Sequence, residues 1–322
     1  MADQPFPAAI VMPRIATGMS PNARAKWLFV AAIGTLDWVW MNAAGFRFGD
    51  GFLACAAAAC ALAAIALVYF YTERDERIRD FAHFGAQFLA LSLVLIPLES
   101  LAVSTNAPLA HRSFVALDQG MGLDWVAWAQ WVSAHPLIHW ALGVAYASIW
   151  LQTILAFMFN VHTRSSQRNS ELWWIIAFSS LLTIAGGAVL PASNPWIYNG
   201  FAGVDDFLHA QQFAALRDGT MHVLGLYNTE GLIQLPSFHT VLAIMLAYNF
   251  RHHRWLFAAA VVLDTLIILS CPTEGSHYLV DLVAGAAVAV LAIIAVRAWE
   301  RRLDSLRQGL DLAVATRSEL AR

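Results

Sequence analysis

Eight stretches of nearly continuous apolar residues run along the chain, at about 27–45, 52–71, 81–103, 137–159, 171–190, 236–250, 255–271 and 277–296. Each approaches the ~20 residues that carry a helix across a bilayer. The runs are rich in Ala and Leu and do not alternate, which excludes a membrane β-barrel. The pattern predicts an all-α fold, a polytopic membrane bundle of about eight transmembrane helices. It divides the chain into an N-terminal segment 1–26, a membrane domain 27–296 and a tail 297–322.

Two connections, 104–136 and 191–235, are longer than ordinary loops and are rich in Trp, Phe and His. Connections of that length carry function or are disordered. Segment 113–133, with Trp125, Trp128 and Trp131 among polar residues, predicts a helix lying at the lipid headgroups. Segment 205–217, starting at a capping Asp205, predicts another. The tail places Trp299, Leu303, Leu306 and Leu310 on one helical face between arginines, an amphipathic helix on the membrane or on the bundle.

Composition agrees with the membrane reading, at 59% hydrophobic and 13% charged residues. Soluble domains average roughly 45–50% apolar and about 25% charged. The first 26 residues hold four prolines and no apolar core, so no cleavable signal peptide is expected. Cys55, Cys60 and Cys271 have neither disulfide-like nor zinc-like spacing. The basic residues form no aromatic-interleaved patch, so nucleic acid is not an expected partner.

The placement of positive charge is more informative than its total. Eight spans put both termini and the loops 72–80, 160–170 and 251–254 on one side, with sixteen of the nineteen Lys and Arg residues. Only Arg47, Arg112 and Arg217 fall on the other. The expected protein is therefore an integral multi-pass protein of the plasma (inner) membrane with cytoplasmic termini. The tetrad "RHHR" at 251–254 reads as a cytoplasmic anchor.

Chemistry concentrates at two outward helix starts. In "QLPSFHTVLAIMLAYNF", Pro236 suits a first helical turn and Ser237 and His239 follow. In "EGSHYLVDLVAG", Ser276 can cap and His277 and Asp281 stand four residues apart, on one helical face. A carboxylate there fixes the tautomer of the imidazole and makes its other nitrogen a better base or nucleophile. Helix starts also favour anions, so a phosphoryl group held between them would meet His277 on one side and His239 on the other. Arg217 first and Arg112 second are the cations available to bind it, beside Ser237 and Ser276. Asp37 and Glu99, inside spans, read as structural or cavity-lining groups. His135, His139, His209 and His222 read as loop or interface residues. Two other readings stay open: a transporter or lipid-binding protein using the His/Asp pair for protonation or headgroup capture, and metal ligation by His239, His277 and Asp281.

At these residues the sequence resembles the type 2 phosphatidic acid phosphatase superfamily. "PSFH" at 236–239 is similar to its Pro-Ser-Gly-His box with Phe238 in place of Gly, and "HYLVD" at 277–281 to its His-x-x-x-Asp box. "LPSFHT" with "HYLVDLVAG" resembles most the inositol phosphorylceramide synthase branch. Looser agreement lies in "LDQGMGLDW" at 117–125 and "FAALRDG" at 213–219. The resemblance implies a six-helix core over about 80–296 with two added N-terminal helices. It further implies a phosphatase or phosphotransferase that needs no metal or other cofactor. In it His277 is the nucleophile, Asp281 orients it and His239 is the acid and base. The early Lys and Arg-Pro box is missing, and the Ser-Arg ahead of the third box appears as Ser270–Cys271. The implied partners are a lipid phosphate or phospholipid substrate and membrane lipids, with a homo-oligomer left open.

Overall fold

The computed structural model describes residues 21–226 and 231–320. The first twenty residues and the side chain of Leu310, on which parts of the sequence reading rest, lie outside that description. The chain is a helical membrane bundle. Helices α1 (Pro21–Ala44), α2 (Phe52–Tyr71) and α3 (Glu76–Ser104) follow the first three apolar runs. Short α4 (His111–Gly120) and α5 (Trp125–Ser133) fill the first long connection. The fourth run is two helices, α6 (Pro136–Ala147) and α7 (Ile149–His162), bent by 43° at Ser148.

Helix α8 (Ser166–Val189) is the fifth span. The second connection holds α9 (Pro195–Tyr198) and α10 (Leu208–Arg217), and α11 (Phe238–Asn249), α12 (Arg254–Glu274) and α13 (Leu279–Leu320) complete the bundle. A two-residue parallel bridge joins β1 (Arg47–Phe48) to β2 (Val223–Leu224). Every predicted span thus coincides with helix. Among the described residues six helices are long and apolar enough to cross a membrane alone, and the bent pair, counted as one span, would be a seventh.

Helix α11 is the centre of the packing. It touches α7, α8, α12 and α13, and Val241, Leu242, Ala243, Met245 and Leu246 are all buried. A helix surrounded on every side is apolar all round, which is why its sequence shows no polar face. With Leu91, Ile149, Trp173, Ile175, Ile267 and Val296 it forms the main core. At 12 residues it spans only roughly 18 Å at ~1.5 Å per residue, well short of a ~30 Å hydrocarbon layer. Its start is therefore recessed inside the bundle.

Glycines permit that recess. A Cβ at Gly285 of α13 would stand 2.5 Å from the Ser237 carbonyl oxygen, so only glycine lets α13 lie against the start of α11. At Gly187 of α8 a Cβ would meet the Ile233 side chain at 2.5 Å, which holds the strand-like entry to α11 against α8. Small residues at such crossings let membrane helices approach closely. By contrast α2 packs on α3 and leaves Leu53, Leu67 and Val68 exposed toward lipid, as expected of a helix added outside the core.

Several local expectations change. The predicted single helix over 113–133 is two, because the chain turns through the left-handed Gly122 and restarts at Asp124, whose carboxylate caps α5 through Ala127 N–H at 3.0 Å. Asp205 does not cap α10: it lies in a 3₁₀ turn (Val204–Asp206), and Phe207 stands at the α10 N-cap. Pro236 precedes α11 rather than opening it, since Ser237 is the N-cap. The tail continues the last span as one 42-residue helix, with Trp299 packed edge-on against Trp174 at 4.6 Å and on Phe178.

Candidate active site

The starts of α11 and α13 are joined by their backbones. Ser237 N–H donates to the Asp281 carbonyl at 3.0 Å, and the buried Ser237 hydroxyl accepts from Thr240 N–H at 3.4 Å. This crossing brings His239 and His277 to the wall of one cavity of ≈ 540 Å³, within electrostatic reach of each other. The two rings are held differently.

His277 leads into α13 and is 5% exposed. Its Nδ1 faces Asp281 Oδ2 at 3.3 Å, and the Gln234 backbone carbonyl is a further acceptor beside the ring. Asp281 is fully buried, and its Oδ2 also accepts from Tyr278 N–H at 2.8 Å. With its proton on Nδ1 aimed at Asp281, the imidazole has a lone pair on Nε2. His239, on the first turn of α11, stacks on Tyr146 of α6 with ring centres 4.2 Å apart and planes at 17°. The Tyr146 hydroxyl lies 3.3 Å from His239 Nδ1. Tyr146 has no signature in the sequence, being one aromatic residue in an apolar run.

The long connections fasten the segment that carries His277. Asp118 of α4 accepts from Leu279 N–H at 3.0 Å and Val280 N–H at 2.7 Å, and so caps α13 from outside. Burial pushes its carboxyl above the usual carboxylate range, against the pull of those two donors. Trp125 Nε1 donates to the His277 carbonyl at 3.0 Å, and Trp196 Nε1 to the Thr273 carbonyl at 3.1 Å. These residues explain the agreement noted in "LDQGMGLDW": its Asp118 and Trp125 position the histidine. Ser276 does not cap α13. It is buried with a left-handed φ of 55°, at the bend that turns the chain from α12 into the His277 segment.

The cavity has two characters. Toward the main core it is lined by Phe88, Leu91, Leu95, Ile176 and Leu242, with the hydroxyls of Ser92, Thr153, Ser180 and Thr183 also in its wall. Near the histidines it is lined by Tyr146, His209, Gln234 and Glu274. Glu99 also borders it, its Oε1 accepting from Leu232 N–H at 2.7 Å and Ile233 N–H at 3.2 Å. Glu274 pairs with His139 at 3.1 Å toward the protein surface. His209, expected as a loop or interface residue, lies on α10 and lines the cavity, its Nε2 accepting from Asn194 Nδ2 at 3.1 Å.

None of the described residues lining this cavity is Lys or Arg. Arg112 is exposed at the start of α4. Arg217 lines a neighbouring cavity and donates to the Ala107 carbonyl at 2.8 Å. Cys271 is fully buried with its thiol donating to the Ile267 carbonyl at 3.2 Å, and it does not line the cavity. A cation at position 271 would have to enter the core.

No curated protein and no solved structure matches the chain. The family model described as the PAP2 superfamily matches residues 112–295, which include α4 to α11, α12, the transmembrane part of α13 and both histidines. That match covers more than half of the 322 residues, and the chain belongs to the PAP2 superfamily.

Proposed function

We propose that the chain is a lipid phosphatase or phosphotransferase of the membrane that works through a phosphohistidine at His277. One observation carries the reading: a carboxylate-held imidazole and a tyrosine-held imidazole face one cavity whose lining is largely apolar. The phosphorus of a lipid phosphate bound there has its acyl chains toward Phe88, Leu95 and Leu242.

In the first step the His277 nitrogen attacks phosphorus. A P–N bond forms, the P–O bond to the glyceride breaks, and His239 gives its proton to the departing alkoxide. Asp281 stabilises the imidazolium that develops on His277. In the second step water or an alcohol attacks, the P–N bond returns its electron pair to His277, and His239 takes the proton of the acceptor. The equatorial oxygens draw on the first N–H groups of α11, at the positive end of its dipole, rather than on a guanidinium. Similarity to the inositolphosphotransferase branch favours an alcohol as acceptor. The distribution of Lys and Arg supports a site on the non-cytoplasmic side of the membrane.

The test is chemical. Purified protein in liposomes is mixed with ³²P-labelled phosphatidic acid and quenched in alkali, which preserves a P–N bond. The expected label is acid-labile, absent from His277→Ala and unaffected by EDTA. Thin-layer chromatography of the lipid products, with and without a polyol or ceramide, separates hydrolysis from transfer. Normal turnover by His277→Ala would sink the covalent route.

A further inference from the structure

The wall of the histidine cavity holds the carboxylates of Glu99 and Glu274 and, among the described residues, no Lys or Arg. A phosphate bound there depends on neutral donors, and the hydroxyls in the wall are not equally free to serve. A Ser or Thr inside a helix ordinarily returns its hydroxyl to a carbonyl one turn earlier. Ser92 does so with the Phe88 carbonyl at 3.1 Å, and Thr153 with the Ile149 carbonyl at 2.8 Å. Thr183 of α8 does not. It is 5% exposed, and its buried Oγ1 makes no hydrogen bond to the described residues. Two other buried oxygens in the wall also lack a hydrogen bond, Gln234 Oε1 and the Glu274 Oε1 that pairs with His139. Both are acceptors, which leaves Thr183 as the buried unmatched donor of this cavity.

Contacts at both ends of α8 fix the height of Thr183. Near its start, Glu171 accepts from the hydroxyl of Tyr248, at the end of α11. Near its end, a Cβ at Gly186 would stand 2.7 Å from the Pro236 ring, just before α11 begins. The two helices therefore run antiparallel, with 186 opposite 236. Three residues inward from that crossing lie Thr183 on one helix and His239 on the other, and both line the cavity.

We infer that Thr183 is a substrate-binding residue whose hydroxyl donates to an oxygen of the phosphoryl group held between His277 and His239. The inference rests on the proposed phosphoryl-transfer site and adds a donor from α8 to the N–H groups at the start of α11. A hydroxyl buried without a partner destabilises the empty chain and is matched only when the phosphate arrives. It therefore contributes to affinity and not to stability.

The experiment is equilibrium dialysis of the full chain in nanodiscs against orthovanadate, which takes up the five-coordinate geometry of phosphoryl transfer and carries no acyl chain. Thr183→Val keeps the shape and removes the hydroxyl. It should bind vanadate about ten-fold more weakly, the worth of one hydrogen bond to a charged group, and melt no earlier than the unaltered chain. Thr183→Ser restores the hydroxyl and should recover the affinity to within about three-fold. A serine variant as weak as the valine one would overturn the assignment. So would unchanged vanadate affinity in Thr183→Val, whether melting falls, as for a structural hydroxyl, or only KM for the lipid rises, as for a hydroxyl on the glyceride. An unaltered chain that binds no vanadate would sink both the assignment and the phosphoryl-transfer reading. Binding needs no turnover, so Thr183-dependent affinity without a phosphoenzyme would sink the covalent route alone.

Discussion

Two buried carboxylates stand at opposite ends of the central helix α11, and they are treated differently. Near its end, Glu171 of α8 uses both oxygens: Oε1 accepts from the Tyr248 hydroxyl at 2.7 Å and Oε2 from Arg251 Nη2 at 2.8 Å. The Arg251 guanidinium also covers the Tyr248 ring at 3.9 Å, and neither Glu171 nor Arg251 lines the large cavity. Near its start, Asp281 has a histidine partner and a backbone N–H on Oδ2, while Oδ1 is buried with no partner among the described residues. A satisfied network rigidifies, whereas Asp281 has an unmatched oxygen and holds a histidine that lines the cavity, which Glu171 does not. The difference teaches where to look for chemistry in a chain whose polar residues are few. Within "RHHR", Arg251 is tied into this closed network.

The largest effects should come from the unsatisfied end. His277→Ala should lower kcat by about 10⁴-fold or more, the scale of losing a nucleophile, with little change in thermal stability. His239→Ala should cost about 10²–10⁴-fold, as for a general acid and base. Asp281→Asn keeps the shape and a hydrogen bond but not the charge, so a slow residual turnover is expected. Rates of lipid phosphate turnover, with melting curves as control, read all three. A His277 variant that loses stability rather than rate would erase the contrast.

Removing a partner at the satisfied end should invert that outcome. Arg251→Met leaves Glu171 buried beside Tyr248 without its cation, at a cost on the order of 3 kcal/mol. Detergent-solubilised protein should unfold earlier, while kcat of the folded fraction stays within about two-fold. Loss of kcat without loss of stability would mean that the two ends are coupled through α11.

A smaller effect tests the link between the external loops and the nucleophile. Asp118→Ala removes the carboxylate that holds Leu279 and Val280 N–H, a loss of about 1–2 kcal/mol for a helix cap. Because the same helix start carries Asp281 and follows His277 directly, kcat should fall about ten-fold. Asn, which retains one acceptor oxygen, should restore part of both. An alanine variant that loses stability alone would make Asp118 a cap and nothing more.

Sequence reading reached some of these groups and not others, for physical reasons. The spans were legible because lipid exposure demands long apolar runs, and even the short α11 stood out against polar flanks. His239, His277 and Asp281 were legible because polar groups at the mouths of apolar helices are rare. The break between α4 and α5 was only implicit in Gly122, whose left-handed turn stops one helix before Asp124 starts the next. Tyr146, His209 and Gln234 were not legible as site residues. They reach the site from a bent span, from α10 and from the segment before α11, with crossings at Gly285 and Gly187 that no local pattern records. Arg217 and Arg112 stand out in the sequence only because cations are scarce on their predicted side, and scarcity does not fix which cavity a residue enters.

Tyr146 offers the finest test of the comparison, because it sits where the open end begins to resemble the closed one. Tyr248 and Tyr146 both present a hydroxyl to an ionisable partner, but Tyr248 locks a carboxylate whereas Tyr146 stacks on the ring that exchanges protons in the proposed mechanism. If the hydroxyl only fixes the His239 tautomer, Tyr146→Phe keeps the stack and should lower kcat about three- to ten-fold, near the worth of one hydrogen bond, with KM unchanged. Tyr146→Leu removes the stack as well and should cost more than Phe. If Phe is silent and Leu is not, packing alone orients His239. A KM effect from Phe would instead place the hydroxyl on the substrate, and Tyr146 would pass from positioning the acid to binding the phosphate.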